Sequence, residues 1–101
     1  GNQLLKYCIL NDIEKVKERL ETHKNEINQQ DKNGFRPIHI ACAMKDKRIL
    51  ALLLSHPDTD VNIQTSFGDA PLHYAVKHRN NATMLLCHPD INPSICNHAR
   101  I

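Results

Sequence analysis

Apolar residues recur at helical spacing in pairs of short stretches along the chain. Leu4, Leu5 and Cys8, then Ile13, Val16 and Leu20, predict two amphipathic helices broken at Asn11-Asp12. Glu14, Lys15, Lys17, Glu18 and Arg19 fall on the solvated side of the second. Ile38, Ala41 and Cys42 then predict a short helix from about Pro37 to Met44, and Ile49, Leu52 and Leu53 the buried stripe of another from about Arg48 to Ser55. Pro57 ends that helix, because the residue before a proline disfavours the α region. Leu72, Ala75 and Val76 repeat the first of these stripes.

The punctuation between the stripes repeats as well. Gly34, Pro37, His39 and Ala41 return 34 positions later as Gly68, Pro71, His73 and Ala75. Each glycine can take a positive φ where the chain turns, and each proline fits the first helical position, where its missing N–H costs nothing. A period of this length marks a stacked repeat architecture. Residues 34 to 41, Gly-Phe-Arg-Pro-Ile-His-Ile-Ala, and 68 to 75, Gly-Asp-Ala-Pro-Leu-His-Tyr-Ala, closely resemble the ankyrin repeat.

The resemblance implies an all-α solenoid of helix-turn-helix units joined by β-like fingers. It divides a single domain, 1–101, into repeats at about 2–30, 31–64 and 65–97, the last shortened. From Asn62 the next equivalent asparagine is Asn92, four residues early, which predicts a stunted second helix around Thr83 to Asp90. The end of the chain fits either a degenerate closing repeat or a piece of a longer array; apolar Ile91, Ile95 and Ile101 favour the piece. The resemblance further implies that His39 and His73 hydrogen-bond neighbouring turns as scaffolding. Two departures stand out. Arg36 and Ala70 replace the threonine usual before the proline, and Asn11-Asp12, Lys45-Asp46 and Arg79-Asn80 replace the Gly-His between helices, which predicts less tightly defined helix ends.

Composition narrows function mainly by exclusion. With 24 % charged residues and a net charge of +2, the chain reads as a soluble domain with no general pull toward nucleic acid. No apolar run reaches a membrane span and no signal segment is visible, so a cytoplasmic or nuclear location is the expectation. Cys8 and Cys42 fall on one position of successive helices, too far apart to bridge, and are expected as buried thiols; Cys96 is expected to be the most reactive and Cys87 intermediate. Cys87-His88 with Cys96 and His98 fits no zinc spacing, and Asn81-Ala82-Thr83 is a coincidental glycosylation pattern. No phosphate loop, paired-carboxylate motif or nucleophile elbow is present. Neither catalysis nor a metal or other cofactor is expected.

The function implied by the resemblance is a non-catalytic protein–protein interaction module that binds through its finger tips and concave inner-helix face. Residues left free by the buried stripe are the candidate protein-binding set: Lys32, Asn33, Phe35, Met44, Ser66, Phe67, Asp69, Lys77 and His78. Phe67, at a turn tip, is the expected anchor, since aromatic residues dominate interface energetics. A second surface is a basic edge of Lys45, Lys47, Arg48, Lys77 and Arg79, fitted to phosphate or RNA. Ahead of that phosphate or RNA reading, the runner-up is a regulatory or targeting segment of a larger enzyme or channel. The sequence names no partner beyond another protein.

Overall fold

The computed structural model describes residues 3–91. Six α-helices form: α1 (Gln3–Ile9), α2 (Ile13–Thr22), α3 (Pro37–Cys42), α4 (Arg48–Leu54), α5 (Pro71–Ala75) and α6 (Arg79–Leu86), with a 3-10 turn at Lys24–Asn28. No strand is present among the described residues. Helices this short are marginal in isolation, so their stability must come from packing. Each pairs with its neighbour as a hairpin, α1 with α2, α3 with α4 and α5 with α6. The hairpins then stack in two layers, α1–α3–α5 and α2–α4–α6.

The core runs between these layers. Leu4, Cys8, Ile38, Ala41, Cys42, Leu72 and Ala75 face it from the first layer, and Val16, Leu20, Ile49, Leu50, Leu53 and Leu85 from the second. The small residues at 41, 42 and 75 let adjacent helices approach closely, and each large aliphatic side chain contributes about 1.5–3 kcal/mol on burial. The stripe of α4 differs from expectation: Leu50 is fully buried, whereas Leu52 only packs against the cluster's edge. Val76 is another correction. It lies just beyond α5 and is 41 % exposed, while its repeat equivalent Cys42 is capped by later residues.

The third repeat is shortened in its links and not in its second helix. Residues 43–47 join α3 to α4, but only 76–78 join α5 to α6, and α6 has 8 residues against 7 for α4. The expected stunted helix is therefore absent. The helix ends are also better defined than the missing Gly-His pairs suggest. Asn11 itself takes a φ of 56°, a conformation asparagine tolerates, and its Nδ2 donates to Asp46 Oδ2 at 3.1 Å. At the third repeat, Asn81 is wholly buried and its Nδ2 donates to the carbonyls of Cys42 (3.0 Å) and Met44 (2.7 Å), satisfying acceptors left open at the end of α3. That amide nitrogen is thereby withdrawn from any glycosylation chemistry.

The fingers are hydrogen-bonded copies of one another. Asp31 N–H donates to Phe35 O (2.9 Å) and Gly34 N–H to Asp31 O (3.0 Å); Thr65 and Gly68 repeat both bonds with Asp69 and Thr65 at the same lengths. Side-chain oxygens brace each turn: Asp31 Oδ1 accepts from the N–H groups of Asn33 and Phe35, and Thr65 Oγ1 from those of Phe67 and Asp69. Ser66 N–H donates to Asn33 O at 2.9 Å, tying the two fingers together.

Each inner helix after a finger begins without a side-chain cap. At Arg36 and Ala70 the backbone N–H instead donates to Nδ1 of the histidine three residues on, at 2.9 Å for His39 and 2.6 Å for His73. Arg36 is occupied elsewhere, its Nη1 donating to Asn28 O at 2.6 Å. Ala70→Thr supplies the missing hydroxyl acceptor beside His73 N–H. It is expected to stabilise the fold by roughly 0.5–2 kcal/mol, measured as a higher Tm. An unchanged or lower Tm would show that the buried site has no room for it.

Candidate functional site

Phe35 and Phe67 follow and precede the two finger glycines, so the finger-to-finger bond brings their rings together. Their centroids lie 6.2 Å apart. Phe35 also meets Tyr74 at 5.6 Å and the edge of His39 at 5.9 Å, and His39 meets Tyr74 edge-on at 5.9 Å. Four rings thus gather where both fingers meet α3 and α5. Contacts of this kind add about 0.5–1.5 kcal/mol each beyond burial. The cluster is graded in exposure: His39 is buried, Phe35 and Tyr74 are half-buried, and Phe67 is 67 % exposed at the rim.

Polar groups fix this arrangement. Tyr74 Oη donates to Asp69 Oδ2 at 3.0 Å, and burial pushes the phenol above its usual range. His39 is held at both ring nitrogens, with Nε2 2.8 Å from Ile63 O. Since Nδ1 accepts from Arg36, Nε2 must carry the proton and donate, so His39 welds its own repeat to the chain entering the next finger. Burial moves its pKa below the ordinary histidine value. That is the scaffolding expected from the resemblance.

The structure joins several candidate binding residues and separates others. Asn33 and Ser66 share the finger-to-finger bond, Phe35 and Phe67 share the ring cluster, and Asp69 joins it through Tyr74. Lys32 is exposed on the first finger. Met44, Lys77 and His78 stand at the opposite ends of α3 and α5, roughly 9 Å away along helices of this length. There His78 Nε2 lies 3.1 Å from Ala43 O, so the two helix links run side by side. Tyr74 was missed by sequence reasoning, although it holds the register position of Ile40, the one half-exposed residue of that helix.

One of the five residues of the expected basic edge is engaged by a carboxylate. Arg48 is committed to Asp46, with Nη2 at 2.6 Å and Nε at 3.0 Å from both carboxylate oxygens, and this contact holds Asp46 well below the usual carboxylate range. Lys45, Lys47, Lys77 and Arg79 remain exposed, without an ion-pair partner among the described residues.

Charge differs only modestly between the layers. First-layer helices, fingers and links (3–12, 30–47, 64–78) hold six Lys or Arg against four Asp, a net of +2. The second-layer segments (13–29, 48–63, 79–91) hold six cations against seven carboxylates, a net of −1. One of those seven is internal: Glu26 is buried and receives both Arg19 Nε (2.8 Å) and Nη2 (2.7 Å), which lowers its pKa.

The thiols follow the repeat register. Cys8 and Cys42 are buried, and desolvation pushes the Cys8 thiol up to about 12 and Cys42 up as well; Cys87 is exposed. Cys96 and His98 lie outside the described residues, and among those described no group of three or more His, Cys, Asp or Glu could hold a metal ion. In native protein Cys87 should label with a maleimide or disulfide reagent well before Cys8 and Cys42, which should react only on unfolding. Fast labelling at Cys8 or Cys42 would contradict the packing described.

Known proteins share this architecture. A family described as ankyrin repeats, in three copies, matches residues 4–95. A "Probable serine/threonine-protein kinase" of Dictyostelium discoideum is 41 % identical over 54 residues, which is 54 % of this chain and 6 % of that protein. Human Rabankyrin-5 is 38 % identical over 55 residues, 54 % of this chain and 5 % of its own length. An "Inhibitor of Apoptosis" of Variola virus is 40 % identical over 50 residues, covering 50 % of this chain and 11 % of that protein. The chain thus spans only a small part of each of these relatives. In structure, it resembles a chain in the complex of a predatory endopeptidase from Bdellovibrio bacteriovorus with an immunity protein, at a TM-score of 0.78 and 24 % identity, over 90 % of this chain and 48 % of that one. Both the repeat register and the family match lead to one conclusion: this chain belongs to the ankyrin-repeat family.

Proposed function

We propose that this chain is a non-catalytic protein-binding module whose partner sits on the finger tips and the first-layer helices, with Phe67 as the anchor. The observation that supports this is the placement of Phe67: 67 % exposed, yet backed by the Phe35 ring at 6.2 Å. A ring positioned in advance loses little freedom on binding and gains the area that a partner covers. Ankyrin repeats are protein–protein interaction modules, which accords with this placement. A cytoplasmic or nuclear setting is part of this reading.

The longer relatives favour a related second reading, in which these repeats are a regulatory or targeting segment of a larger protein. In the kinase relative the similarity spans 54 residues, 6 % of that protein, so it transfers a scaffold and not phosphoryl transfer. The two readings share one binding surface. Against a binder selected from a displayed protein library, Phe67→Ala is expected to weaken affinity at least tenfold, or about 1.4 kcal/mol. Stability should fall by less than about 1 kcal/mol, the worth of one ring contact. An affinity that Phe67→Ala leaves unchanged would move the site to the basic edge or the second layer.

A further inference from the structure

We propose that the partner segment is acidic: an extended polypeptide carrying several carboxylates around a large apolar side chain that seats beside Phe67. This rests on the protein-binding reading above and adds the partner's chemistry. Three observations converge on it. Lys45, Lys47, Lys77 and Arg79 are exposed on or directly after the helix links, and the His78 ring 3.1 Å from Ala43 O sets those links side by side, so four positive charges gather at one end of the first-layer helices. The binding side's carboxylates are already occupied. Asp31 accepts two backbone N–H groups, Asp69 the Tyr74 hydroxyl, and Asp46 the Arg48 guanidinium and the Asn11 amide. Its cations are not: Lys6, Lys32, Lys45, Lys47, Lys77 and Arg79 form no ion pair among the described residues. Charge complementarity therefore selects an anionic partner and repels a cationic one.

Apolar groups between those cations select polypeptide over nucleic acid. Ile9 and Leu10, each 62 % exposed, end α1, and Leu10 holds the register position of half-exposed Met44. Together with Phe67 they give apolar contacts at both ends of the first-layer helices, flanked by Lys32 at the fingers and by Lys45 and Lys77 at the links. Single-stranded nucleic acid needs several open ring faces in succession. Here Phe35 and Tyr74 are half-covered and His39 is buried, leaving Phe67 as the open ring of the cluster.

The test is selection of binders from a random 16-residue displayed peptide library at about 50 mM salt, where steering by charge is strongest. Selected peptides are expected to be rich in Asp and Glu around one Phe, Leu or Trp. Their affinity should fall at least tenfold in Lys45→Glu/Lys77→Glu, and again between about 50 and 300 mM salt. Loss of binding in Phe67→Ala with neutral or basic selected peptides would refute the acidic partner and keep the binding surface. Selected peptides indifferent to both variants would refute the surface itself. Tighter binding to poly(U) than to any selected peptide would assign the cations to nucleic acid. Sedimentation showing salt-sensitive self-association, abolished by Lys45→Glu/Lys77→Glu, would assign the cations to carboxylates of a second copy.

Discussion

Gly34→Ala is expected to destabilise the protein by about 3 kcal/mol, whereas Gly68→Ala should cost only about 1 kcal/mol. Both glycines have a φ of +81°, so an added side chain strains either backbone by about 1–2 kcal/mol. Among the described residues, Gly34 alone is also crowded. A Cβ there would stand 2.8 Å from Ser66 N and 3.3 Å from Thr65 C, while nothing among the described residues lies within 4 Å of the same position at Gly68. To relieve that contact the fingers must part, breaking the Ser66 N–H bond to Asn33 O and loosening Phe35 from Phe67. Those losses add about 1–2 kcal/mol. In thermal unfolding, where 1 kcal/mol is roughly 4–8 °C for a domain of this size, the two variants should separate by at least about 8 °C. Equal shifts would mean that the fingers are not coupled.

That asymmetry marks the boundary of what the sequence could reveal. Gly34 and Gly68 occupy identical repeat positions, and composition and spacing predict the same turn at each, as found. Only the stacked neighbour differs, and it lies 32 residues further along the chain. The same limit explains the other departures. Val76 matches Cys42 by register, but Cys42 is fully buried and its carbonyl accepts from Asn81 of the following repeat, and stacking is a property that no local pattern carries. The shortened third repeat was evident from its asparagine spacing. Where the loss fell was not, because a helical stripe reads the same whether residues leave the helix or its link; the buried Leu85 and Asn81 show α6 to be intact.

The candidate site divides along similar lines. Phe67 was legible, because a large apolar residue beside a turn glycine has few places to pack. Tyr74 was not, since its approach to Phe35 at 5.6 Å joins residues from different repeats. Charge is the subtler case. A sum of +2 hides the gathering of Lys45, Lys47, Lys77 and Arg79 beside the helix links, which only the repeat register exposes. Arg48 also changes meaning in three dimensions, from an exposed cation to the partner of Asp46.

His39→Gln is expected to lower stability by about 2–3 kcal/mol at pH 8 and also to flatten its dependence on pH between 7.5 and 5.5. The mutation removes a wholly internal ring that bridges Arg36 N–H and Ile63 O, leaving buried polar groups unpaired. Titration arises from the same geometry. Nδ1 accepts a hydrogen bond and is desolvated, so protonating it in the fold would set two donors against each other; the pKa is accordingly lowered from 6.5, chiefly by burial, with the Ile63 carbonyl opposing the shift most, Arg36 adding to it, and Asp31 and Asp69 opposing it less. The unfolded chain takes up that proton near 6.5 and the folded chain only at lower pH. The stability held by the neutral ring is therefore complete above the unfolded value and declines as pH falls below it toward the folded pKa, by up to about 1.4 kcal/mol per pH unit. Glu26 and Asp46 have lowered carboxylate pKa values and lose their contribution only at more acidic pH, below an ordinary 4.5 and 3.8 respectively. Urea titrations of both proteins across pH 7.5–5.5 thus isolate the histidine. If His39→Gln retains the parent's pH slope, the proton belongs to another group; if it retains the parent's stability, His39 does not weld the repeats.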